Sequence, residues 1–407
     1  MTEPLSYGRL LRLDGMPELF LAACLSRLAG RIFSLAIVLY VLDRFGSPAL
    51  AGWVAFASMA PGLLISPLAG ALLDRLGAAK AIVIDMAASA LLLLALGLAD
   101  VAGSVTEPLL LTLVTLYSLT SPLGTAGIRV LIPRLVPKDA LDLANALDTS
   151  SYALINVAGP AVAGLLFGFA GSQTTLLAIV LLYAAAAVSL VPLIRRTSNG
   201  HAASTGPLIG DAVAGVIYFV RHTSLRGLAI SYALFQVSWG ILVVAVPVVV
   251  MKELGTGARA DTVVGGLWAA AGLAGGLGAL FAGHLRTVDR ERQFIAIGAL
   301  ATAVAIFPVS ASFGLVGLAI GLVLVGFVEG PVDVGVLSLR QRRTDPGWLG
   351  RVLAVSMSFN MSGLPLGSAI GGVIVMHSPS LAFATAALAS VLAAAATYAL
   401  VPATSER

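Results

Sequence analysis

Charge is what this 407-residue chain has least of. Acidic and basic residues make up 11% of it, against about 25% in a soluble domain. A water-exposed globular surface cannot be built from so few. Cysteine is nearly absent too. The single Cys24 excludes an internal disulfide and any thiolate metal cluster. Four histidines, His201, His222, His284 and His377, stand without metal-ligand spacing. No G-x-x-x-x-G-K-[ST], H-E-x-x-H, G-x-S-x-G or G-x-G-x-x-G run occurs. P-loop ATP hydrolysis, zinc proteolysis, a serine elbow and a dinucleotide cradle therefore lose their signatures. The expectation is a protein that is not an enzyme and carries no cofactor and no metal.

Apolar length is what the chain has in abundance. Mean hydropathy is +0.99, and apolar runs follow one another from Leu19 to Val401. A spanning helix needs about 20 such residues. The pattern predicts an all-α integral membrane protein with helices near Glu18–Leu42, Ala49–Leu73, Lys80–Leu98, Leu109–Leu131, Leu141–Ala170 and Thr174–Leu193. A second set follows near Leu225–Met251, Thr262–His284, Arg292–Ser312, Leu315–Leu339, Arg351–Met376 and Leu381–Val401.

The net charge of +4 does not point to nucleic acid, because the basic residues sit in short loops. Of the loops on alternate sides, one set holds 19 Lys and Arg and the other holds only Arg44, Lys252 and Arg259. The basic side faces the cytoplasm. Both termini are then cytoplasmic, as an even number of spans requires, and the expected location is a bacterial inner membrane. No cleavable leader is evident, because the first apolar run is already of spanning length.

The longest polar stretch lies at the middle. Six spans precede it and six follow, giving an N-terminal half 1–194, a cytoplasmic linker 195–224 and a C-terminal half 225–407. Within the linker, Leu208 to Arg221 is amphipathic, with Leu208, Ile209, Val213, Val216, Phe219 and Val220 on its apolar side, and is expected to lie on the membrane surface. The halves echo each other. Arg134-Leu135-Val136-Pro137 precedes the fifth span as Arg343-Thr344-Asp345-Pro346 precedes the eleventh. Repeated halves with a midplane site between them are a common transporter plan.

Between the second and third spans stands Gly70-Ala71-Leu72-Leu73-Asp74-Arg75-Leu76-Gly77-Ala78-Ala79-Lys80. This resembles the signature cytoplasmic loop of the major facilitator superfamily, G-x-x-x-D-R-x-G-x-x-K/R. Ser26-Arg27-Leu28-Ala29-Gly30, Ala144-Asn145-Ala146-Leu147 and Gly350-Arg351-Val352 are similar to its bacterial efflux branch, which includes enterobactin-exporter-like and macrolide-efflux-like proteins. Gly283-His284-Leu285-Arg286 is a degenerate second copy of the signature loop. The resemblance covers the whole chain. It implies two six-helix halves that rock by alternating access around a cavity lined by the first, fourth, seventh and tenth spans. It implies a small-molecule substrate, drug-like or siderophore-like, exported at the expense of a proton gradient by a monomer. Uptake of a solute is the alternative, and a sensor or intramembrane enzyme a remote one. Gly159-Pro160 with Gly164 partly matches the antiporter motif of the fifth span, whose upstream glycines are missing here. Gly70, Asp74, Arg75, Gly77 and Lys80 are implied to gate or interlock the halves.

Charges inside spans mark the candidate site. A charged side chain at the bilayer centre costs about 2.5–3.5 kcal/mol on insertion scales, so it faces protein or a wet cavity and has a partner. Arg27 and Arg31 lie four apart on the first span, and Glu329 and Asp333 repeat that spacing on the tenth beside Pro331. The acidic pair either binds a cationic group and carries a proton or forms a fixed ion pair between the halves. Asp148, at the start of the fifth span with Tyr152 and Asn156 on its face, is positioned to neutralise an arginine. Asp85 is expected to support the Asp74–Arg75 corner. Tyr117, Ser121 and Thr125 of the fourth span, Tyr232, Gln236 and Trp239 of the seventh and Asn360 of the eleventh are milder candidates for the cavity wall, or else helix–helix glue. Gly272 with Gly276, and Gly363, Gly367 and Gly371, have the spacing of packing seams, and the family resemblance implies that their helices lie at the interface between the halves.

Overall fold

A computed structural model of the chain describes residues 7–137, 140–197, 216–284, 290–310, 313–344, 355–356 and 359–403. Among the described residues there are helices and turns and no strand. Ten helices are long and apolar enough to cross a bilayer. One of them, Ser150–Ile194, has 45 residues, twice what a crossing needs. It breaks at Gly171, where φ is 78° and ψ 174°, a conformation that a side chain would oppose. Leu141–Thr197 is thus the fifth and sixth spans. The ninth span is Glu291–Val304 followed by Ala305–Val309. It is interrupted at Phe307 (φ −143°, ψ 120°), because the proline that follows disfavours a helical residue before it. Twelve crossings result.

The first span is Met16–Phe45, and the second is two segments, Pro48–Ala57 and Ala60–Leu76. Ala78–Val101 and Glu107–Leu135 are the third and fourth. In the second half, Thr223–Leu254, Ala258–His284 and Gly314–Arg342 are the seventh, eighth and tenth. Gly363–His377 and Pro379–Leu400 are the eleventh and twelfth. Local chemistry sets several starts. Ser47, Thr106 and Ser378 each accept a hydrogen bond from the backbone N–H three residues on, with proline in the first turn.

Within the first half, span one packs on span five at Gly159 against Arg31, and on span six at Gly30 against Tyr183. Within the second, span seven packs on eleven and twelve, and ten on eight and nine. The glycines Gly363, Gly367 and Gly371 lie against Ala233, Val237 and Ile241 of span seven. They are a packing seam inside the second half, while span eleven itself also meets span two of the first half through Gly372 and Gly52. Gly276 meets open space, whereas Gly272 does meet Val157 across the halves.

The halves touch at the end remote from the chain termini. There Gly52 of span two lies on Ser368 and Gly372 of span eleven, and Gly164 of span five lies on Gly265 of span eight. A methyl group on Gly164 would stand 2.7 Å from the Gly265 Cα, so only glycine lets these helices approach. The remote half of span one is sealed: every residue from Leu35 to Leu42 is buried, as are Val244, Ala245 and Val246 of span seven. Towards the terminal end the facing spans are more exposed. On span four Tyr117 is buried, Ser121 half-buried, and Thr125 and Arg129 exposed, while Asp333 and Leu337 are exposed on span ten.

Gly372→Leu is expected to wedge the remote seam apart. Overpacking of this kind costs about 1–3 kcal/mol, roughly tenfold in the open population. A cysteine replacing buried Ala245, in a Cys24-free background, should react about tenfold faster with an impermeant maleimide. An unchanged rate would mean that the seam does not hold the closure.

The amphipathic segment is only partly within the described residues, since 208–215 lie outside them. From Val216 to Arg221 it is helical, with Val216, Ile217 and Val220 exposed. Phe219, expected on the lipid side, is instead buried among Leu225, Ala229 and Phe359.

Candidate functional site

The first-half charges meet near mid-span. Arg27 pairs with Asp148 at 2.7 Å, with side chains 13% and 17% exposed. It also donates to the Ser151 hydroxyl at 3.2 Å. Arg31, one turn further on, donates to the Tyr152 hydroxyl at 2.6 Å. Both guanidiniums lie over the Tyr152 ring, 5.5 and 5.4 Å from its centre, a favourable cation–π placement. Spans one and five thus hold two positive charges on one carboxylate and one aromatic face. Below them the Tyr117 and Tyr183 hydroxyls bond at 2.6 Å, and Tyr117 packs on Phe33. Tyr117 therefore braces spans four and six. Asn156 keeps a buried amide oxygen without a partner.

The second-half carboxylates occupy span ten. Asp333 accepts a hydrogen bond from the buried Tyr232 hydroxyl at 2.5 Å. Glu329, one turn towards the remote end, is half-buried beside Gly275 of span eight. Glu329 lies among apolar neighbours beside Asp333, with the Arg31 charge of the first half acting on it more weakly, while Arg340 acts on Asp333. Gln236 reaches Met361 at 3.7 Å and leaves its amide oxygen unpartnered. Asn360, oriented to satisfy its neighbours, donates to the Ser356 carbonyl at 3.1 Å and accepts from Arg340. Trp239 and Trp268 pack with tilted rings, centres 6.0 Å apart, and the Trp239 indole N–H has no partner.

Two half-sites of opposite sign are therefore divided between the halves, the arginines held by spans one and five and the carboxylates by spans seven and ten. The arginine side has one carboxylate for two cations. The carboxylate side has one tyrosine and one arginine for two anions. The surplus cation, Arg31, and the surplus anion, Glu329, belong to different halves. Among the described residues no three His, Cys, Asp or Glu groups gather to hold a metal.

Comparison with known proteins gives this geometry its context. The family model described as Major Facilitator Superfamily matches residues 19–225 and 228–407. The chain belongs to the major facilitator superfamily. It is a multi-pass membrane transporter by family. It is 50% identical over 402 residues to the MFS-type transporter y4rN of Sinorhizobium fredii, covering 99% of this chain and 98% of that protein. It is 26% identical over 366 residues to the multidrug efflux pump Tap of Mycolicibacterium fortuitum, covering 87% and 88%. A POT family transporter solved with 5-aminolevulinic acid shares the fold at a TM-score of 0.74 and 13% identity, over 98% of each chain. So does the nucleoside transporter NupG, at 0.71 and 14%, over 95% of this chain and 99% of that one.

In this transporter the signature loop sits at the terminal end. Gly77 ends one helix and begins the next with φ 82° and ψ 136°, which a side chain would strain. Arg75 and Lys80 are exposed there. Gly70 and Asp74 lie on the helix before the turn, with the Asp74 side chain outside the described part. Asp85 is buried with its carboxylate against Gly124 of span four, and one of its oxygens has no hydrogen-bond partner. It packs span three on span four.

Sequence reasoning missed three residues. Arg340, counted with the loop cations, is buried against Asn360. Its position seven after Asp333, on the same helical face, was a usable signal. Tyr183 was one tyrosine among apolar residues. Asp261 is buried at the remote seam, where its backbone meets Gly164, and one carboxylate oxygen has no partner. It stood beside a loop and read as one.

Proposed function

We propose that the transporter exports a small amphipathic molecule, drug-like or siderophore-like, by proton-coupled alternating access. It acts as a monomer in the bacterial inner membrane with both termini cytoplasmic. The two moving bodies are 1–194 and 225–407, joined by the linker 195–224. The observation that carries the reading is the division of charge between the halves, with Arg31 on one and Glu329 on the other. When the halves rock, Glu329 moves away from the Arg31 charge, and a carboxylate in largely apolar surroundings beside Asp333 is then favoured in its protonated form. Proton uptake and change of access then become one event. Substrate competes for the same carboxylates from the cleft, with Arg31, Tyr232, Gln236 and Trp239 at its wall.

With the termini in the cytoplasm, the seam at Gly52–Gly372 and Gly164–Gly265 is an outer gate, closed, and the cleft opens inwards. This suits the loading state of an exporter. Similarity to the Tap efflux pump supports export. The test is transport in everted membrane vesicles, with substrates first found by screening a deletion strain against drugs and for siderophore secretion. Export gives ATP-independent accumulation that collapses with the pH gradient. Depletion from the lumen would mean uptake.

Topology is checked by labelling intact cells. A cysteine at Gly257 or at neighbouring Thr256 should react with an impermeant reagent, and one at Asn199 should not. Thr256 is the better site, because φ is +121° at Gly257. Reaction at Asn199 would reverse the orientation.

The signature corner serves as the inner gate in this reading. Asp74→Asn should slow transport about tenfold or more, as loss of a charged gate contact of about 1.5 kcal/mol would, with normal membrane expression. Wild-type rates in that variant would remove Asp74 from the gating cycle.

A further inference from the structure

A second built cavity lies away from the transport cleft, on the flank of the second half. It has a volume of about 240 Å³ and sits where spans seven and nine begin and span twelve ends. Thr223, Arg226, Ile230, Arg292, Tyr398 and Leu400 line it, and none of its lining residues is acidic. Spans seven and nine present their first turns here, and neither has a side-chain cap on its N-terminal amides. Two uncapped helix starts and two guanidiniums make the cavity a place for negative charge.

The arginines are held but not satisfied. Arg292 lies over the Tyr398 ring, 5.0 Å from its centre, and donates to the Tyr398 carbonyl. Its Nε is buried without a partner. Arg226 is exposed and donates from one terminal nitrogen to the Val220 carbonyl at 3.0 Å. Glu291, the acid next to Arg292, is occupied by Arg342. The transport cycle uses none of these groups.

We propose that this cavity binds the phosphodiester headgroup of an anionic phospholipid from the leaflet at the terminal end. A guanidinium fork matches phosphate geometry, and basic pockets between spans on the cytoplasmic side recognise such lipids. Apolar surface selects a lipid over free phosphate. Ile230, Tyr398 and Leu400 are 44%, 46% and 39% exposed at the cavity, and exposed Ile297 and Leu300 continue along span nine into the bilayer. Acyl chains can follow that path while the phosphate sits between Arg226, Arg292 and Thr223. Tyr398 stands at the depth where membrane tyrosines collect.

The test is native mass spectrometry of the purified full-length protein with phosphatidylglycerol or phosphatidylcholine. Wild type should retain phosphatidylglycerol preferentially. Arg226→Gln and Arg292→Gln should each lower that retention roughly fivefold, leaving phosphatidylcholine unchanged. Equal retention of both lipids by wild type, or an undiminished preference in the double variant, overturns the proposal. Arg292 also ties span nine to span twelve, so a measurement on wild type stands beside the variants. A photoreactive phosphatidylglycerol should label peptides containing 226–230 and 398–402. Labelling confined to other peptides overturns the assignment. Titration of inorganic phosphate into protein in phosphatidylcholine nanodiscs separates the sources. Saturable phosphate binding without phosphatidylglycerol retention would make this a soluble-anion site and reject the lipid.

Discussion

Glu329→Gln should carry substrate down its gradient but no longer concentrate it. The glutamine keeps the size and hydrogen-bonding capacity of a protonated glutamate and cannot release the proton. With one proton exchanged per substrate, a pH difference of one unit supports roughly tenfold accumulation. The variant should reach about onefold, while exchange of labelled for unlabelled substrate proceeds at a comparable rate. Proteoliposomes with and without an imposed pH gradient measure both quantities. Accumulation equal to wild type would make Glu329 structural and move the search for the coupling group to Asp148.

Asp148→Asn should have the largest effect on stability. It removes the carboxylate bonded to Arg27 among the described residues; the arginine side chain is 13% exposed. The Ser151 hydroxyl and the backbone carbonyl of residue 148 remain to it. Breaking one partner of a buried ion pair costs about 3–5 kcal/mol, because the other charge is left uncompensated. Removing the cation as well, in Arg27→Met with Asp148→Asn, should recover most of that loss. Thermal unfolding in detergent separates the outcomes. If the single variant is as stable as wild type, the pair is solvated and the arginine side of the site is wetter than its geometry indicates.

The spans were legible because lipid demands long apolar helices. The loop at Gly77 was legible because a turn between two helices needs a residue without a side chain. Asp148 opposite an arginine was legible from the expense of charge in a membrane. What could not be read was which face of a helix meets which neighbour. In water, polar residues mark the outer face of a helix. In a bilayer the lipid-facing and core-facing sides are both apolar, so that contrast is missing. Hence Phe219 was assigned to lipid. Tyr117 could not be seen to bond to Tyr183, 66 positions away. Arg340 was hidden by sitting at a helix end, where arginines usually reach water.

The proposed mechanism makes one demand on motion: the two ends of the molecule open in alternation, and the proton on Glu329 decides which. Spin-label distances measure this directly. One pair, at Ala102 and Thr256, spans the halves at the remote end, and the other, at Arg129 and Leu337, spans them at the terminal end; all four positions are exposed. Between high and low pH, and between wild type and Glu329→Gln, the remote pair should lengthen as the terminal pair shortens. Distances that stay fixed at both ends, or that change together, would contradict the account.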